Sequence, residues 1–187
     1  MEAPLVYVPG FAQTVGIEGA TVLDQVWNGL PWEQRADAPR RECWMNDYDA
    51  PYTYGQGAGV RTYQARPWDT LVDGLRHEIN NQKGAGLNCC FVNGYKDETE
   101  HLGWHSDDSP EIDAGRPIAV VSFGAEREIC FRPIGQKGPA TGRLLLEHGS
   151  LLLMLPGMQQ THQHSIPKPG RPMGRRVSLT YRGLIAR

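Results

Sequence analysis

The stretch Arg176-Val177-Ser178-Leu179-Thr180-Tyr181-Arg182 decides the fold. Successive side chains of a β-strand point to opposite faces, so this stretch predicts one strand with two unlike faces. One face is entirely polar and carries Arg176, Ser178, Thr180 and Arg182. Such a row suits a barrel whose interior binds a dicarboxylate, because a planar guanidinium donates two parallel hydrogen bonds to a carboxylate. The alternative is that the polar row is the solvent face of an edge strand.

A second stretch, Trp104-His105-Ser106-Asp107-Asp108, places a histidine and a carboxylate two residues apart. On a strand they would share a face and could bind one metal ion together. His164 is the natural third ligand, and His162, two residues earlier, is a rival on the same face. Two histidines and one carboxylate form the facial triad of non-haem Fe(II) oxygenases. An isolated His-x-Asp is more often a surface turn, so the rest of the chain has to decide.

The composition is that of one globular domain. The chain has 187 residues, 40% of them hydrophobic and 21% charged, with 22 glycines and 14 prolines, which favours many turns and short strands. A net charge of -2 does not indicate a nucleic-acid binder. Beyond Glu147, however, every charged side chain is basic, and this part could contact an anion or a phosphate backbone. The alternative is a set of solvated arginines.

The four cysteines contain no Cys-x-x-Cys pair, which argues against a zinc ribbon. Cys89 and Cys90 lie in an apolar run and indicate reduced, buried thiols. We therefore expect an intracellular location, cytoplasmic or, in a eukaryote, nuclear. The sequence predicts no signal peptide and no membrane association, because its longest apolar run is only as long as a strand.

The hydrophobic pattern predicts a mostly β fold with flanking helices. Amphipathic helices are predicted over 18–29 and 67–82, the second ending before Gly84. Strands are predicted over 5–8, 87–95, 118–123, 128–132, 143–146, 151–155, 162–166 and 176–182. Residues 124–127 are interpreted as a hairpin turn, and residues 148–150 as another turn. Many short strands at this spacing favour a sandwich or jelly roll buttressed by the N-terminal helices.

Residues 32–66 are the least regular part of the chain and are rich in aromatic side chains and arginine. Gly55, Gly57 and Gly59 favour a mobile loop. Aromatic rings interleaved with arginines suit base stacking and phosphate contact. The alternative is a loop that its rings pack onto the core.

With these segments taken together, the chain resembles the AlkB family of Fe(II)/2-oxoglutarate dioxygenases, most of all its animal-type nucleic-acid repair members. The matching segments are Pro39-Arg40, Pro51-Tyr52-Thr53-Tyr54-Gly55, Asn93-Gly94-Tyr95-Lys96-Asp97, Trp104-His105-Ser106-Asp107-Asp108, Pro117-Ile118-Ala119, Ser122-Phe123-Gly124-Ala125, His164-Ser165-Ile166-Pro167 and residues 176–182. They occur in the family's order, and together they are far more specific than any one of them.

The resemblance implies a role for each matching position. His105, Asp107 and His164 match the iron ligands. The cosubstrate residues are Arg176, for the distal carboxylate of 2-oxoglutarate, Arg182, near its proximal carboxylate and Asp107, and Asn93, Tyr95, Ser178 and Thr180. Arg182 is also counted with the iron ligands among the catalytic residues. The expected substrate-binding residues are Tyr54, as the ring that stacks on a flipped base, with Tyr52, Arg40, Arg127, Trp104, Asp108 and Ser109.

Two positions depart from the family pattern. Ser109 stands where the repair enzymes have an acidic residue that reads the exocyclic amine of the damaged base, with Glu111 two residues later. His162 stands where a tryptophan is common before the third ligand. The base preference therefore does not follow from the resemblance.

The resemblance implies a double-stranded β-helix, or jelly roll, forming a single domain over 1–187. N-terminal helices and a nucleotide-recognition lid would occupy 1–86, and the catalytic core 87–187. The expected activity is oxidative demethylation of N-alkylated bases, such as N1-methyladenine and N3-methylcytosine, in DNA or RNA. It would consume 2-oxoglutarate and O2 and release formaldehyde, succinate and CO2. We expect a monomer that accepts single strands. The alternatives are an oxygenase of proteins or small molecules, and a non-catalytic nucleic-acid-binding jelly roll.

Overall fold

The computed structural model describes residues 3–17, 21–35, 38, 40–55 and 59–185. The elements in chain order are β1 (Leu5–Val8), α1 (Phe11–Thr14), α2 (Thr21–Gly29), β2 (Arg41–Asn46), β3 (Tyr52–Tyr54), β4 (Arg61–Tyr63), α3 (Thr70–Lys83), β5 (Cys89–Tyr95), β6 (Leu102–His105), β7 (Ile118–Gly124), β8 (Arg127–Pro133), β9 (Gly142–Leu146), β10 (Leu151–Met154), α4 (Met158–Thr161), β11 (His162–Ile166) and β12 (Arg176–Arg182).

Two antiparallel sheets form the body of the protein. The larger sheet has the order β1-β10-β7-β12-β5-β2, and the smaller sheet has the order β6-β11-β8-β9. A separate two-stranded hairpin is made by β3 and β4. The predicted jelly roll with N-terminal helices is confirmed. None of the described helices is both long and apolar enough to cross a membrane.

The strand β12 lies at the centre of the larger sheet, paired with β5 on one side and β7 on the other. All seven of its residues are buried. Its polar row therefore faces the interior, and the alternative of a solvent-facing edge strand is excluded. Its apolar row packs on the helices, where the Tyr181 hydroxyl donates to the Val72 carbonyl at 2.8 Å.

The two predicted helices differ from their expected bounds for identifiable reasons. Asp69 caps α3 by accepting from the amides of Leu71 and Val72, so the helix begins at Thr70 and not at Pro67. Gly84 adopts a left-handed conformation and ends it, as predicted. The first helix is described from Thr21, and the expected start at Glu18 lies outside the described residues.

Two predictions about the strands are wrong. Strands β7 and β8 do not form a hairpin, because β7 pairs within the larger sheet and β8 within the smaller one. The turn between them crosses from sheet to sheet, and the hairpin partner of β8 is β9. Residues 41–46, expected in an irregular loop, form the edge strand β2 of the larger sheet.

The larger sheet therefore takes β1 and β2 from residues 1–86. The expected subdivision at residue 86 is not a boundary within this sheet. The aromatic side chains of the predicted loop are split between a strand of the sheet and the β3–β4 hairpin beside it. Trp44, Tyr52, Tyr63 and Phe91 pack together there in a hydrophobic cluster.

Candidate active site

His105, Asp107 and His164 converge between the sheets. His105 is the last residue of β6, and His164 lies directly across from it on β11. Asp107 follows two residues after β6, and its carboxylate lies close to both imidazoles. Ligand atoms of all three side chains lie within 4.8 Å of one another. Among the described residues this is the one such cluster of three metal-ligating side chains.

The protonation states suit a metal ion. Burial, and then His105, lower the pKa of His164 to about 3, so its imidazole is neutral at physiological pH. Burial alone would raise the pKa of Asp107, but Arg182 and the two histidines hold it well below its usual value. A neutral imidazole and an ionised carboxylate are the forms that bind metals.

The ring orientations point the ε nitrogens at the centre. The Nδ1 of His105 lies 2.9 Å from the carbonyl oxygen of Gly103, which assigns its proton to Nδ1. The Nε2 atoms of His105 and His164 lie 3.9 Å and 3.8 Å from the Asp107 carboxylate oxygens. Asp107 Oδ2 has no hydrogen-bond partner although it is buried. The donor set therefore fits Fe(II).

His162 does not join this cluster. Its ring is buried, and its Nδ1 lies 2.9 Å from the hydroxyl of Thr161 at the end of α4. It pairs with Pro133 at the start of β11, two residues before the position opposite His105. Of the two rivals, the structure brings His164 and not His162 to Asp107.

Arg176, the first residue of β12, begins the polar row and is 0% exposed. Its Nη2 donates to the hydroxyls of Ser122 at 3.0 Å and Ser178 at 3.3 Å. Burial lowers its pKa to about 10, so it remains a cation at neutral pH. Its Nε and Nη1 have no partner. Buried donors are normally satisfied, so this guanidinium fits a bound carboxylate such as that of 2-oxoglutarate.

Arg182 lies at the opposite end of the same row. Its Nη2 donates to Asp107 Oδ1 at 2.7 Å, while its Nε and Nη1 lack partners. Burial alone would lower its pKa, but Asp107 raises it above its usual value. Thr180 is buried on β12 between the two arginines. Asn93 is also buried and lies opposite Ser178 on the neighbouring strand β5. The predicted cosubstrate residues thus share one interior.

The structure corrects the expected role of Arg127 in the base pocket. It is 2% exposed, and its Nη2 donates to the carbonyls of Glu100 at 3.0 Å and Pro167 at 2.8 Å. Its guanidinium lies over the Tyr95 ring, 5.5 Å from the centroid, with Arg176 on the same ring at 5.2 Å. Arg127, the first residue of β8, therefore lies beside Arg176 and Tyr95 in the interior and not with the other expected substrate-binding residues.

A cleft of about 740 Å³ opens beside the triad. It reaches His105, Asp107 and Arg182 at its base. Its walls include the expected substrate residues Arg40, Tyr52, Tyr54, Trp104, Asp108 and Ser109, together with Thr53, Gly55, Phe91, Asn93, Leu102, Gly103, Ser106, Pro110, Ile134 and Gln163. The structure thus brings together six of the seven expected substrate residues. Gly57, which belongs to the predicted glycine-rich loop, lies outside the described residues.

The aromatic wall is built from β3. Tyr54 stacks parallel to Tyr63, with centroids 5.7 Å apart and an interplanar angle of 9°. Tyr52 stacks on Trp44 at 4.7 Å, and its hydroxyl lies 3.1 Å from the hydroxyl of Ser109 across the cleft. The lid is therefore anchored by aromatic packing, and Ser109 is held against it by a neutral hydrogen bond.

Several residues of the site were not identified from the sequence. Glu42 is a buried acid beneath Tyr54 and Arg40, and Gln159 accepts from the Asp107 amide at 2.9 Å. Arg132 lies over the Trp104 ring at 4.2 Å. Glu42 could have been recognised from the sequence, because it is an acidic residue directly before the apolar run Cys43-Trp44-Met45. The other two could not, since their roles depend on which strands lie side by side.

Comparisons with known proteins agree with this geometry. The sequence matches the 2OG-Fe(II) oxygenase superfamily over residues 27–182. It is 36% identical over 153 residues to the DNA oxidative demethylase ALKBH2 of Mus musculus, covering 79% of this chain and 62% of that protein. It is 32% identical over 190 residues to the alpha-ketoglutarate-dependent dioxygenase alkB homolog 3 of Homo sapiens, covering 93% and 64%.

The chain thus spans about three fifths of the length of these relatives. Among solved structures, that of OsALKBH1 matches with a TM-score of 0.65 and 15% identity over 98% of both chains, a likeness of fold. The family match, the triad and the paired interior arginines lead to one assignment. The chain belongs to the 2OG-Fe(II) oxygenase superfamily, and the relatives it resembles within that superfamily are AlkB homologues.

Proposed function

We propose that this protein oxidatively demethylates N-alkylated bases in nucleic acid, using Fe(II), 2-oxoglutarate and O2. The observation that carries the proposal is the cleft that reaches two residues of the triad, His105 and Asp107, and that has the tyrosines of β3 in its wall. The relatives named as DNA oxidative demethylases support DNA as a substrate. N1-methyladenine and N3-methylcytosine, and single strands of DNA or RNA, are the finer part of the proposal.

Different side chains of the barrel have different roles in this proposal. His105, Asp107 and His164 hold the metal, and Arg182 fixes the Asp107 carboxylate by a 2.7 Å hydrogen bond. Arg176, Ser178, Tyr95, Thr180 and Asn93 line the interior that receives 2-oxoglutarate. When bound, iron and 2-oxoglutarate supply the oxidising chemistry, while the protein orients the reactants and excludes water.

The cleft explains how a base could reach the metal. A base inside a duplex is inaccessible, so it has to leave the stack at a cost of a few kcal/mol, which is smaller for a damaged or unpaired base. Tyr54 would receive it by stacking, worth about 1–3 kcal/mol per base. Stacking is tolerant of base identity, so polar side chains at the cleft wall have to provide the selection.

The test is formaldehyde release from a panel of methylated single-stranded and double-stranded oligonucleotides, with His164→Ala as the inactive control. We expect formaldehyde with at least one N-methylated base and none from the control. Formaldehyde from methylated peptides or metabolites, with none from any oligonucleotide, would support the alternative oxygenase. Oligonucleotide binding with no 2-oxoglutarate turnover would support the non-catalytic module.

A further inference from the structure

Glu42 is a fully buried acid beneath the aromatic wall of the cleft. It lies on β2, and its exposed fraction is 0%. Its carboxylate accepts hydrogen bonds from the hydroxyls of Tyr54, at 2.7 Å, and Tyr63, and it forms an ion pair with Arg40 at 2.6 Å. One carboxylate thus contacts both strands of the β3–β4 hairpin and the arginine beside it.

Arg40 is a cation beside Tyr54, the ring on which the base is proposed to stack. It lines the cleft, and its Nη2 lies 3.4 Å from the hydroxyl of Tyr54. Its other hydrogen bonds go to neutral oxygens, Asn93 Oδ1 at 2.6 Å and the His101 carbonyl at 3.5 Å. Burial alone would lower the pKa of Arg40, but Tyr95 and Glu42 raise it, so the charge is permanent. Glu42 therefore supplies the negative charge that neutralises this wall.

The charge of Arg40 matters because N3-methylcytosine and N1-methyladenine are cations. Two like charges in a partly buried site repel strongly, since the effective dielectric constant is far below that of water. Ser109 is neutral and bonded to Tyr52, so it cannot offset the repulsion. Asp107 is already paired with Arg182, and Asp108 is exposed to solvent, where its field is screened.

We propose that Glu42, by neutralising Arg40, allows this cleft to accept a cationic base and so helps to select the methylated base. The inference rests on the proposed function and adds a determinant of specificity to it. It also explains how the pocket can dispense with an acid at position 109. Glu42 acts through Arg40 and Tyr54, so it is a positioning and charge-balancing residue.

The test compares two bases that have similar size and differ in charge. Fluorescently labelled single-stranded oligonucleotides carry either N3-methylcytosine, which is cationic, or N3-methyluracil, which is neutral. Their dissociation constants for the metal-free protein are measured by fluorescence anisotropy. Glu42→Gln should weaken binding of the N3-methylcytosine strand by about tenfold relative to the N3-methyluracil strand. The ratio does not depend on the fraction of protein that is folded.

Two further variants make the test specific. The double variant R40Q/E42Q removes both charges and should restore the ratio to within about twofold of the wild-type value. Glu33→Gln is the matched control, because Glu33 bridges to Glu42 through the backbone but pairs with Arg35 and Arg66 outside the cleft. Its ratio should equal that of the wild type.

Equal weakening of both strands in Glu42→Gln would mean a purely structural role and would overturn the inference. A ratio that stays low in R40Q/E42Q would also overturn it, since the repulsion would not come from Arg40. Both outcomes leave the proposed function intact. The proposed function would be contradicted by a separate result, namely that the wild-type enzyme releases no formaldehyde from any methylated oligonucleotide.

Discussion

At the scale of single residues, the choice between His162 and His164 has a structural explanation. Both lie on β11 and both are buried, but only His164 is opposite His105 in the register of the sheet. We expect His162→Ala to retain most Fe(II), because its ring bonds Thr161 and not the metal cluster. His164→Ala should lose the metal, because two protein ligands remain. Metal content after anaerobic loading, measured by mass spectrometry, checks both variants.

The reverse pattern, with metal lost in His162→Ala and kept in His164→Ala, would show that the triad is wrongly assigned. The sequence could predict His105 and Asp107 from their spacing, since both are fixed by one strand end. It could not choose the third ligand by spacing alone. That choice depends on which residue of β11 faces β6, and only the family resemblance could indicate it from sequence.

Arg176 gives the second prediction at this scale. Its Nε and Nη1 are buried and unpartnered, so a bound carboxylate would be their acceptor. Losing one partner of a buried charged pair costs roughly 3–5 kcal/mol. Arg176→Ala should therefore raise the KM for 2-oxoglutarate by at least about a hundredfold. Arg176→Lys should recover only part of this loss, because an ammonium cannot form the bidentate pair.

The control for Arg176 is its neighbour Arg175, which pairs with Asp24 on the outer side of the sheet at 2.6 Å. Arg175→Ala should leave the KM for 2-oxoglutarate unchanged. Steady-state kinetics with varied 2-oxoglutarate measure all three variants. A normal KM in Arg176→Ala would mean that the cosubstrate is anchored elsewhere.

At the scale of secondary-structure elements, the crossing between β7 and β8 is the feature that makes two sheets from one chain. Gly124 ends β7 with a φ of 90°, and a Cβ there would lie 2.3 Å from the carbonyl oxygen of Arg175. Gly124→Ala should destabilise the protein by about 1–3 kcal/mol, because the strained conformation and the backbone contact both disfavour a side chain. Urea unfolding monitored by circular dichroism measures the change.

Gly29 at the end of α2 is the matched control, since a Cβ at this position would meet no atom within 4 Å and its φ is not left-handed. Gly29→Ala should change the free energy of unfolding by less than about 0.5 kcal/mol. Equal stability of the two variants would show that the crossing tolerates a side chain.

The elements also show how far the sequence could predict the fold. Alternation along residues 176–182 indicated a strand with a polar interior face, and the 3.6-residue period located both helices. Strand β2 was missed because its run Cys43-Trp44-Met45 is short and lies among glycines, tyrosines and arginines typical of loops. The hairpin predicted at residues 124–127 was wrong because a turn has the same sequence pattern whether the two strands it joins pair with each other or belong to different sheets.

At the scale of the whole molecule, the site is assembled from distant parts of the chain. Arg40 contacts Asn93, and Arg182 contacts Asp107, across 53 and 75 residues of sequence. The spacing of residues in the sequence indicates only which side chains share a face within one strand or helix. It could therefore predict the polar row of β12 and the pair His105 and Asp107, but not the cleft. The cleft exists because β2, β5 and β12 are neighbours in the larger sheet while β6 and β11 face them.

The larger sheet also buries ionisable thiols, which gives a prediction for the stability of the whole protein. Cys43 on β2 and Cys89 on β5 are 1% and 0% exposed, and burial raises the pKa of each to about 12. In the unfolded chain these thiols ionise near their usual value of 9.0. Between these two values the unfolded state binds fewer protons than the folded state, so stability falls as pH rises.

Each such thiol should contribute a loss of about 1.4 kcal/mol per pH unit inside this window. Replacing Cys43 by alanine removes one of them. The variant should be less stable than the wild type at pH 8, because a buried group is lost, yet its free energy of unfolding should fall less steeply between pH 9 and about 11. Urea titrations at each pH measure both slopes, and groups common to the two proteins cancel in the difference. Parallel slopes would show that Cys43 ionises as readily in the folded sheet as in the unfolded chain, contrary to its burial.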